Sequence, residues 1–219
     1  MTDISNNTRE MLPEPTLRRL PWYLAYVNML SSRDVEFVSS TQIAKDLNVD
    51  ASQIAKDLSC LNIKGKTRIG YEVKVLECVL QDFLGFKEVH NAIIIGVGSL
   101  GGALMQDSGL SRYGLNIVAG FDISPSIIGN KICGIPIYNI SDLEHKRKSL
   151  NAEIAIIAVP VDQAQNVADL MVANGIKALW NFTPSRIKLS DNIVVQNTSI
   201  YSHLAVMYNR LDIQKHQPK

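Results

Sequence analysis

The stretch N-A-I-I-I-G-V-G-S-L-G-G, residues 91–102, decides how this chain folds. Ala92 to Ile95 form an unbroken apolar run that leads straight into Gly96, Gly98 and Gly101. Such a run reads as a buried strand of a parallel sheet. The glycines let the chain turn sharply, let the backbone approach a pyrophosphate, and let the next helix pack closely on the strand. Unpaired N–H groups at that helix start carry partial positive charge and suit a phosphate. A second strand-like run, Leu115 to Phe121, ends at Asp122, 21 residues after Gly101. A carboxylate there accepts hydrogen bonds from both hydroxyls of an adenosine ribose, and its charge repels a 2′-phosphate. The spacing predicts a dinucleotide site. The bland alternative is an α/β domain whose glycine turn binds nothing, with Asp122 a solvated strand end.

Toward the C-terminus the pattern alternates. Ile132 to Tyr138 reads as a short strand, and Asp142 to Leu150 as a charged helix with a solvated face. Ile154 to Val159 is a second apolar strand, ended by Pro160, and Asp162 to Asn174 is a helix stopped by Gly175. Ala178 to Phe182 and Ile193 to Gln196 are further strands. Strands alternating with helices make a doubly wound parallel α/β sheet. Ligands of such sheets lie beyond the carboxyl ends of the strands, where Gly96, Asp122, Pro160 and Phe182 all fall. A last helix, Tyr201 to Gln214, carries Leu204, Met207, Tyr208 and Leu211, which must be buried on its own domain or on a partner.

The other half reads differently. Residues 1–15 are polar, with Pro13 and Pro15, and read as a mobile lead-in. From Thr16, Leu17, Leu20, Leu24, Val27 and Leu30 recur at helical spacing, with Pro21 expected to separate or kink the first turn. Ser40 or Thr41 can cap a short helix to Leu47 that stops at Asn48. Asp50 followed by Gln53 has the spacing of a capping box and opens a second helix, about Ala51 to Leu61. Ile54, Leu58 and Leu61 face inward, while Ser52, Lys56 and Ser59 point away. Two short helices across a tight turn match helix-turn-helix geometry. Lys64, Lys66 and Arg68 around Gly65 and Gly70 then form a basic hairpin, a wing suited to phosphate contacts. Helix-turn-helix also occurs as a plain packing unit, and a basic turn can simply be solvated. Val73 to Leu84 is one more amphipathic helix, stopped by Gly85, with the linker between domains near 85–90.

A length of 219 residues allows one large domain or two modest ones. An apolar content of 46% and a charged content of 20% are those of a soluble globular protein. The net charge of +1 demands neither nucleic acid nor an anionic membrane, so a basic surface has to be local. Cys60, Cys78 and Cys133 form no C-x-x-C pair; with four histidines they argue against a zinc site and a disulfide framework, and they fit a reducing compartment. With no signal peptide and no apolar run long enough to span a bilayer, a cytoplasmic location is expected.

With both halves placed, the chain resembles the Rex family of bacterial redox-sensing repressors from about Pro15 to Leu211. The matching segments include R-L-P-W-Y (19–23), V-S-S-T-Q-I-A (38–44), K-D-L-S (56–59), I-G-Y-E-V (69–73), I-I-I-G-V-G-S-L-G (93–101), A-G-F-D-I (119–123), I-C-G-I-P-I-Y (132–138), A-V-P (158–160), A-Q-N-V-A-D-L (164–170) and G-I-K-A-L-W-N-F-T-P (175–184), with a closing Y-S-H-L-A-V-M-Y. The resemblance implies a winged helix-turn-helix domain (1–85), an NAD(H)-binding Rossmann domain (86–200), and a C-terminal helix (201–219) exchanged between the subunits of a homodimer. It implies binding to a palindromic DNA operator, with release as NADH rises. Gly96, Val97, Gly98, Ser99, Leu100 and Gly101 would hold the pyrophosphate. Asp122, with Ile123 beside it, would take the adenosine ribose, and Val159, Pro160, Asn181 and Phe182 would lie by the nicotinamide. Ser40, Thr41, Ser52, Gln53, Lys56, Ser59, Lys64, Lys66 and Arg68 would face DNA.

The chain also departs from the family pattern. Ala55 stands where a basic residue is usual, Leu61, Asn62 and Ile63 replace an aromatic F-G segment, and Ser124 replaces an acid. Of an Arg–Asp–Tyr set that couples ligand to DNA in some members, Arg19 fits, but the other two places hold Ser199 and Asp107. A divergent member with a weakened or rewired NADH response is therefore expected. Two other readings compete: a DNA-binding dimer whose Rossmann half is only a platform, and a small NAD-dependent oxidoreductase. For the enzyme, His90, His145, His203 and His216 would be the candidate acid/bases, and none has a catalytic setting in the sequence.

Overall fold

Pro13 and Pro15 open the first helix rather than precede it. In the computed structural model, which describes residues 12–216, helix α1 runs Glu14–Ser31 with Pro13 as its N-cap. Proline is at home there because first-turn N–H groups have no partner inside the helix. The expected lead-in is thereby shortened, and its residues 1–11 lie outside the described part. Pro21 does not break the helix as expected. Leu20, Tyr23, Leu24 and Val27 around it are fully buried, and that packing carries the helix through the proline. Leu17, expected inside, is exposed, and Thr16 is buried instead.

Two units divide the chain, Met1–Lys87 and Glu88–Lys219. In the first, α2 (Ser40–Leu47) is capped by Ser39, whose hydroxyl accepts from the Gln42 N–H at 3.0 Å, and not by Ser40 or Thr41. Asn48 ends α2 in the left-handed conformation at φ 52°. Asp50 caps α3 (Ala51–Ser59), accepting from the Ser52 and Gln53 N–H groups at 2.7 and 3.3 Å. The capping box is only half made, because the Gln53 amide donates to Asp57 instead of turning back. Helix α3 also ends two residues short of Leu61, which is nonetheless buried with Ile54 and Leu58. Strands β1 (Phe37–Val38) and β2 (Tyr71–Glu72) pair antiparallel at the base of the wing. Lys66 and Gly70 exchange backbone hydrogen bonds of 2.8 and 2.9 Å nearer its tip. Gly70 sits at φ 102°, and a Cβ there would lie 2.4 Å from the Val38 carbonyl oxygen, so no other residue fits. Helix α4 (Val73–Leu84) packs on α1 and stops at Gly85, as its pattern predicts.

The second unit is a seven-stranded sheet. In chain order its strands are β3 (His90–Ile95), β4 (Leu115–Asp122), β5 (Lys131–Ile132), β6 (Ile135–Asn139), β7 (Ile154–Ile157), β8 (Ala178–Asn181) and β9 (Val194–Asn197), arranged β5-β6-β4-β3-β7-β8-β9. All neighbours are parallel except β5 and β6. The order reverses between β3 and β7, which makes that crevice the switch point where such sheets take ligands. Helices α5 (Ser99–Gln106), α6 (Ser108–Arg112), α7 (Leu143–Leu150) and α8 (Ala164–Ala173) complete the layers. Separate apolar clusters form about Ile93, Phe121 and Ile157 and about Ile94, Ile117 and Ile156. Alternate residues of one strand serve different clusters because side chains alternate across a sheet.

Two expectations are corrected here. Residues 132–138 are not one strand but a hairpin turning on Cys133 and Gly134, both at positive φ (49° and 83°), as a two-residue turn of matching twist requires. The charged face of α7 is not simply solvated. Arg147 Nε donates to the Ala152 carbonyl at 3.1 Å, and the Lys146 ammonium lies 4.7 Å from the centre of the Tyr138 ring. Strand β8 reaches β9 through residues 182–193 without a helix.

Helix α9 (Ile200–His216) closes the described chain. Met207, Tyr208 and Leu211 are exposed and Leu204 is only half-buried, so its apolar stripe is not buried on its own domain. Among the described residues no helix is long and apolar enough to cross a membrane.

Candidate functional site

Strand β3 delivers the chain to Gly96, whose N–H bonds the Phe121 carbonyl at 2.9 Å and whose φ of 90° makes the turn. Gly98 then caps α5 without a side-chain hydrogen bond, and a Cβ built on it meets nothing within 4 Å. Gly101 is the opposite case, since its Cβ would fall 2.0 Å from the Gly96 carbonyl oxygen. One glycine therefore leaves the helix start open to a ligand, and the other lets helix and strand close on each other. Ser99 and Leu100 lie in the first turn of α5.

Asp122 ends β4, the strand beside β3. Its Oδ2 accepts from the Val97 N–H at 2.7 Å, and its Oδ1 from the Ile123 and Ser124 N–H groups at 2.8 and 2.9 Å. The carboxylate is thus fixed against the glycine turn and keeps lone pairs for further donors. Ile123 follows it and is 77% exposed.

On the other side of the switch point, Leu100, Ala158, Val159, Phe182, Thr183, Pro184, Ile200 and Tyr201 line a cleft of about 260 Å³. Pro160 caps the 3₁₀ turn Val161–Gln163 just beyond it. Trp180 and Phe182 hold their rings 4.7 Å apart. Asn181, expected beside the ligand, is 0% exposed and turned inward. Its amide donates to the Ser185 carbonyl and to Asn197 Oδ1 and accepts from the Thr183 N–H, so it braces the 181–185 loop and has little left for a ligand. Thr183, Pro184 and the α9 residues Ile200 and Tyr201 were not foreseen from the sequence. The last two come from an element that pattern alone leaves unplaced.

In the first unit, Ser52, Ala55, Lys56 and Ser59 form the exposed face of α3. The Ser52 hydroxyl donates to Asp50 Oδ1 and the Ser59 hydroxyl to the Lys56 carbonyl, which leaves both oxygens as acceptors. Ser40 and Thr41 lie in the first turn of α2, Thr41 exposed and Ser40 half-buried. Lys64, Lys66 and Arg68 are all exposed in the wing, and Lys66 in addition lies 3.8 Å from Glu72 and 4.8 Å from the centre of the Phe37 ring. Gln53 is half-buried at the edge of that face and gives one N–H to Asp57, which leaves its other N–H and its Oε1 for a ligand.

Asp57 itself is 1% exposed on the inner side of α3. It accepts from Arg19 Nε at 2.6 Å, Arg19 Nη2 at 2.8 Å, the Tyr23 hydroxyl at 2.8 Å, Gln53 at 2.8 Å and Thr16 at 3.1 Å. Burial opposes its charge, but the bonds from Arg19, Tyr23 and Gln53 outweigh that and hold its carboxyl below the usual carboxylate range. Burial and then the bond to Asp57 push the Tyr23 hydroxyl up to about 12, so it remains a donor. A second link joins the Tyr26 hydroxyl to Asp46 on α2. This network was missed in the sequence, although Asp57 shares the inward stripe with Ile54, Leu58 and Leu61 and so calls for a buried cation.

Two family models match the chain, one described as a CoA binding domain over residues 87–185 and one as a putative DNA-binding protein N-terminus over 11–59. A protein of Bacteroides fragilis named redox-sensing transcriptional repressor Rex is 56% identical over 97% of this chain and 96% of its own length. Among solved structures, RSP in complex with β-NAD⁺ and operator DNA is 33% identical with a TM-score of 0.89, covering 94% of this chain and 95% of that one. RSP in complex with β-NADH has a TM-score of 0.84 at the same identity, covering 94% and 97%.

Proposed function

Because the chain belongs to the Rex family of redox-sensing transcriptional repressors, we propose that it represses transcription by binding a palindromic operator as a homodimer that NADH releases. The observation that carries the reading is the Asp122 carboxylate 2.7 Å from the Val97 N–H, which joins the ribose and pyrophosphate ends of one dinucleotide crevice. Coenzyme A bears a 3′-phosphate on its adenosine, which would meet the Asp122 charge. An unphosphorylated ribose, as in NAD(H), suits the residues present. The nicotinamide carries the redox signal, losing its positive charge on reduction. The cleft about Val159, Phe182 and Pro184 is largely apolar and would hold a neutral ring more readily than a charged one.

DNA binding is assigned to the α3 face with Lys56, the first turn of α2, and the wing with Lys64 and Arg68. The uncovered stripe of α9 supports a dimer, and with it a division into 1–85, 86–200 and an exchanged helix 201–219. We place the protein in the cytoplasm, where Cys60, Cys78 and Cys133, all free and exposed, stay reduced. No turnover is assigned. The relatives are named repressors, His90 opens β3 at the end of the sheet opposite the ligand, and His145 and His203 lie on α7 and α9.

The test is duplex affinity of the full-length protein at fixed salt, without ligand, with NAD⁺ and with NADH. NADH should weaken DNA binding, and DNA should weaken NADH binding by the same factor, because linkage is reciprocal. A specific observation favours a second reading, a platform with weak coupling. Arg19 is tied to Asp57, Asp107 caps α6 through the Gly109 N–H, and Ser199 accepts from the Ser202 N–H at the start of α9. NADH bound with DNA affinity unchanged would establish that reading, and steady NADH oxidation would establish an enzyme.

A further inference from the structure

We propose that Arg19 and Asp57 are positioning residues for sequence recognition, holding the Gln53 amide so that it reads one base in each half-site. The proposal rests on the DNA-binding reading and deepens it. Gln53 lies in the first turn of α3, the part of a recognition helix that enters the major groove first. One N–H of its Nε2 donates to Asp57 Oδ1 at 2.8 Å. That leaves its other N–H and Oε1, the pair with which a glutamine reads adenine at N6 and N7. A free glutamine samples many rotamers, and one anchored to a fixed carboxylate has far fewer to lose on binding.

What fixes the carboxylate is α1. The Arg19 guanidinium grips Asp57 with two hydrogen bonds, Nε to Oδ2 and Nη2 to Oδ1. Planar bidentate pairs of this kind set orientation as well as distance, and a lysine cannot reproduce them. Tyr23 and Thr16 have no role at the DNA surface themselves, but their hydroxyls fill the remaining sites on Asp57. Among the described residues, every donor to Asp57 except Gln53 belongs to α1, so the angle of that side chain is set from outside the recognition helix.

The experiment begins by selecting duplexes from a random library with the full-length wild-type chain, then measuring the selected duplex, its single-base variants and poly(dI-dC). Gln53→Ala should lose discrimination at one position per half-site, by roughly tenfold or more. Asp57→Asn and Arg19→Met should lose it at that same position, with poly(dI-dC) affinity and the salt slope unchanged. The double variant Gln53→Ala/Asp57→Asn should add nothing further there. Arg19→Lys, which keeps the charge and so serves if Arg19→Met does not fold, should give an intermediate loss. Wild-type discrimination in the Arg19 and Asp57 variants overturns the proposal. So does an equal loss on selected and non-specific DNA, which would mark a purely structural pair, or a drop in salt slope, which would make Arg19 a phosphate contact. If the wild-type chain selects no duplex, the DNA-binding reading itself falls.

Discussion

A methyl group added at Gly98 meets no atom of the described residues within 4 Å, whereas one at Gly101 lands 2.0 Å from a backbone oxygen. Gly98→Ala should therefore leave stability within about 1 kcal/mol while weakening NADH binding roughly tenfold or more. Gly101→Ala should cost about 1–3 kcal/mol or more through overpacking. Thermal melts and fluorescence titration of NADH would separate the two, and equal affinity in Gly98→Ala would move the pyrophosphate elsewhere. At Asp57 the argument is electrostatic. Its folded carboxyl titrates below the unfolded value of about 3.9, so its stabilisation is complete above that pH and is lost as pH falls through the folded value. Asp57→Asn should cost roughly 3 kcal/mol at neutral pH, because it leaves the Arg19 guanidinium without its buried counter-charge. The variant should then lose less stability than the wild type between neutral pH and pH 3. Urea unfolding at stepped pH measures both, and parallel curves would remove Asp57 from the acid response.

Among the elements, the wing shows why charge count is a poor guide. Lys64, Lys66 and Arg68 look equivalent in sequence, yet Lys66 is already occupied by Glu72 and the Phe37 ring. Alanine at Lys64 or Arg68 should reduce the slope of log K against log salt by about 0.9 for each phosphate that is no longer neutralised. Lys66→Ala should change that slope less. A uniform effect at all three would mean that the wing rearranges on DNA. Much of this level was legible beforehand. The glycine turn, α4 with its Gly85 stop, the Asp50 cap and the Asn48 stop all rest on local chemistry and stand where the pattern puts them. Elsewhere packing overrode local preference at one place, and two local signals were read a step out. Pro21 continues a helix because its neighbours are buried, Ser39 rather than Ser40 takes the cap, and Ile132–Tyr138 folds back at Cys133–Gly134.

For the molecule as a whole, α9 is the element that single-chain folding leaves unsatisfied. Exposed Met207 and Leu211 lie one turn apart on it. If that stripe is the dimer contact, Met207→Asp/Leu211→Asp should yield monomers by sedimentation and lose affinity for a palindrome far more than for a half-site. A dimer that survives would place the contact on another face. Coupling between nucleotide and DNA also belongs to this scale, because a ligand shifts an equilibrium only by its different affinity for two conformations.

The sequence alone determined the two-part organisation, the parallel sheet, the glycine turn with an aspartate ending the neighbouring strand, and the basic hairpin. Each of these follows from residues close together in the chain, through apolar periodicity, glycine stereochemistry and caps. Only the tertiary structure decided which polar groups were free to act. It turned Asn181 inward onto Ser185 and Asn197, engaged Lys66 with Glu72, and brought Arg19 across 38 positions onto Asp57. Those outcomes depend on burial and on partners distant in sequence. A buried polar group must find a hydrogen bond wherever the fold offers one, and one-dimensional spacing does not say where that is.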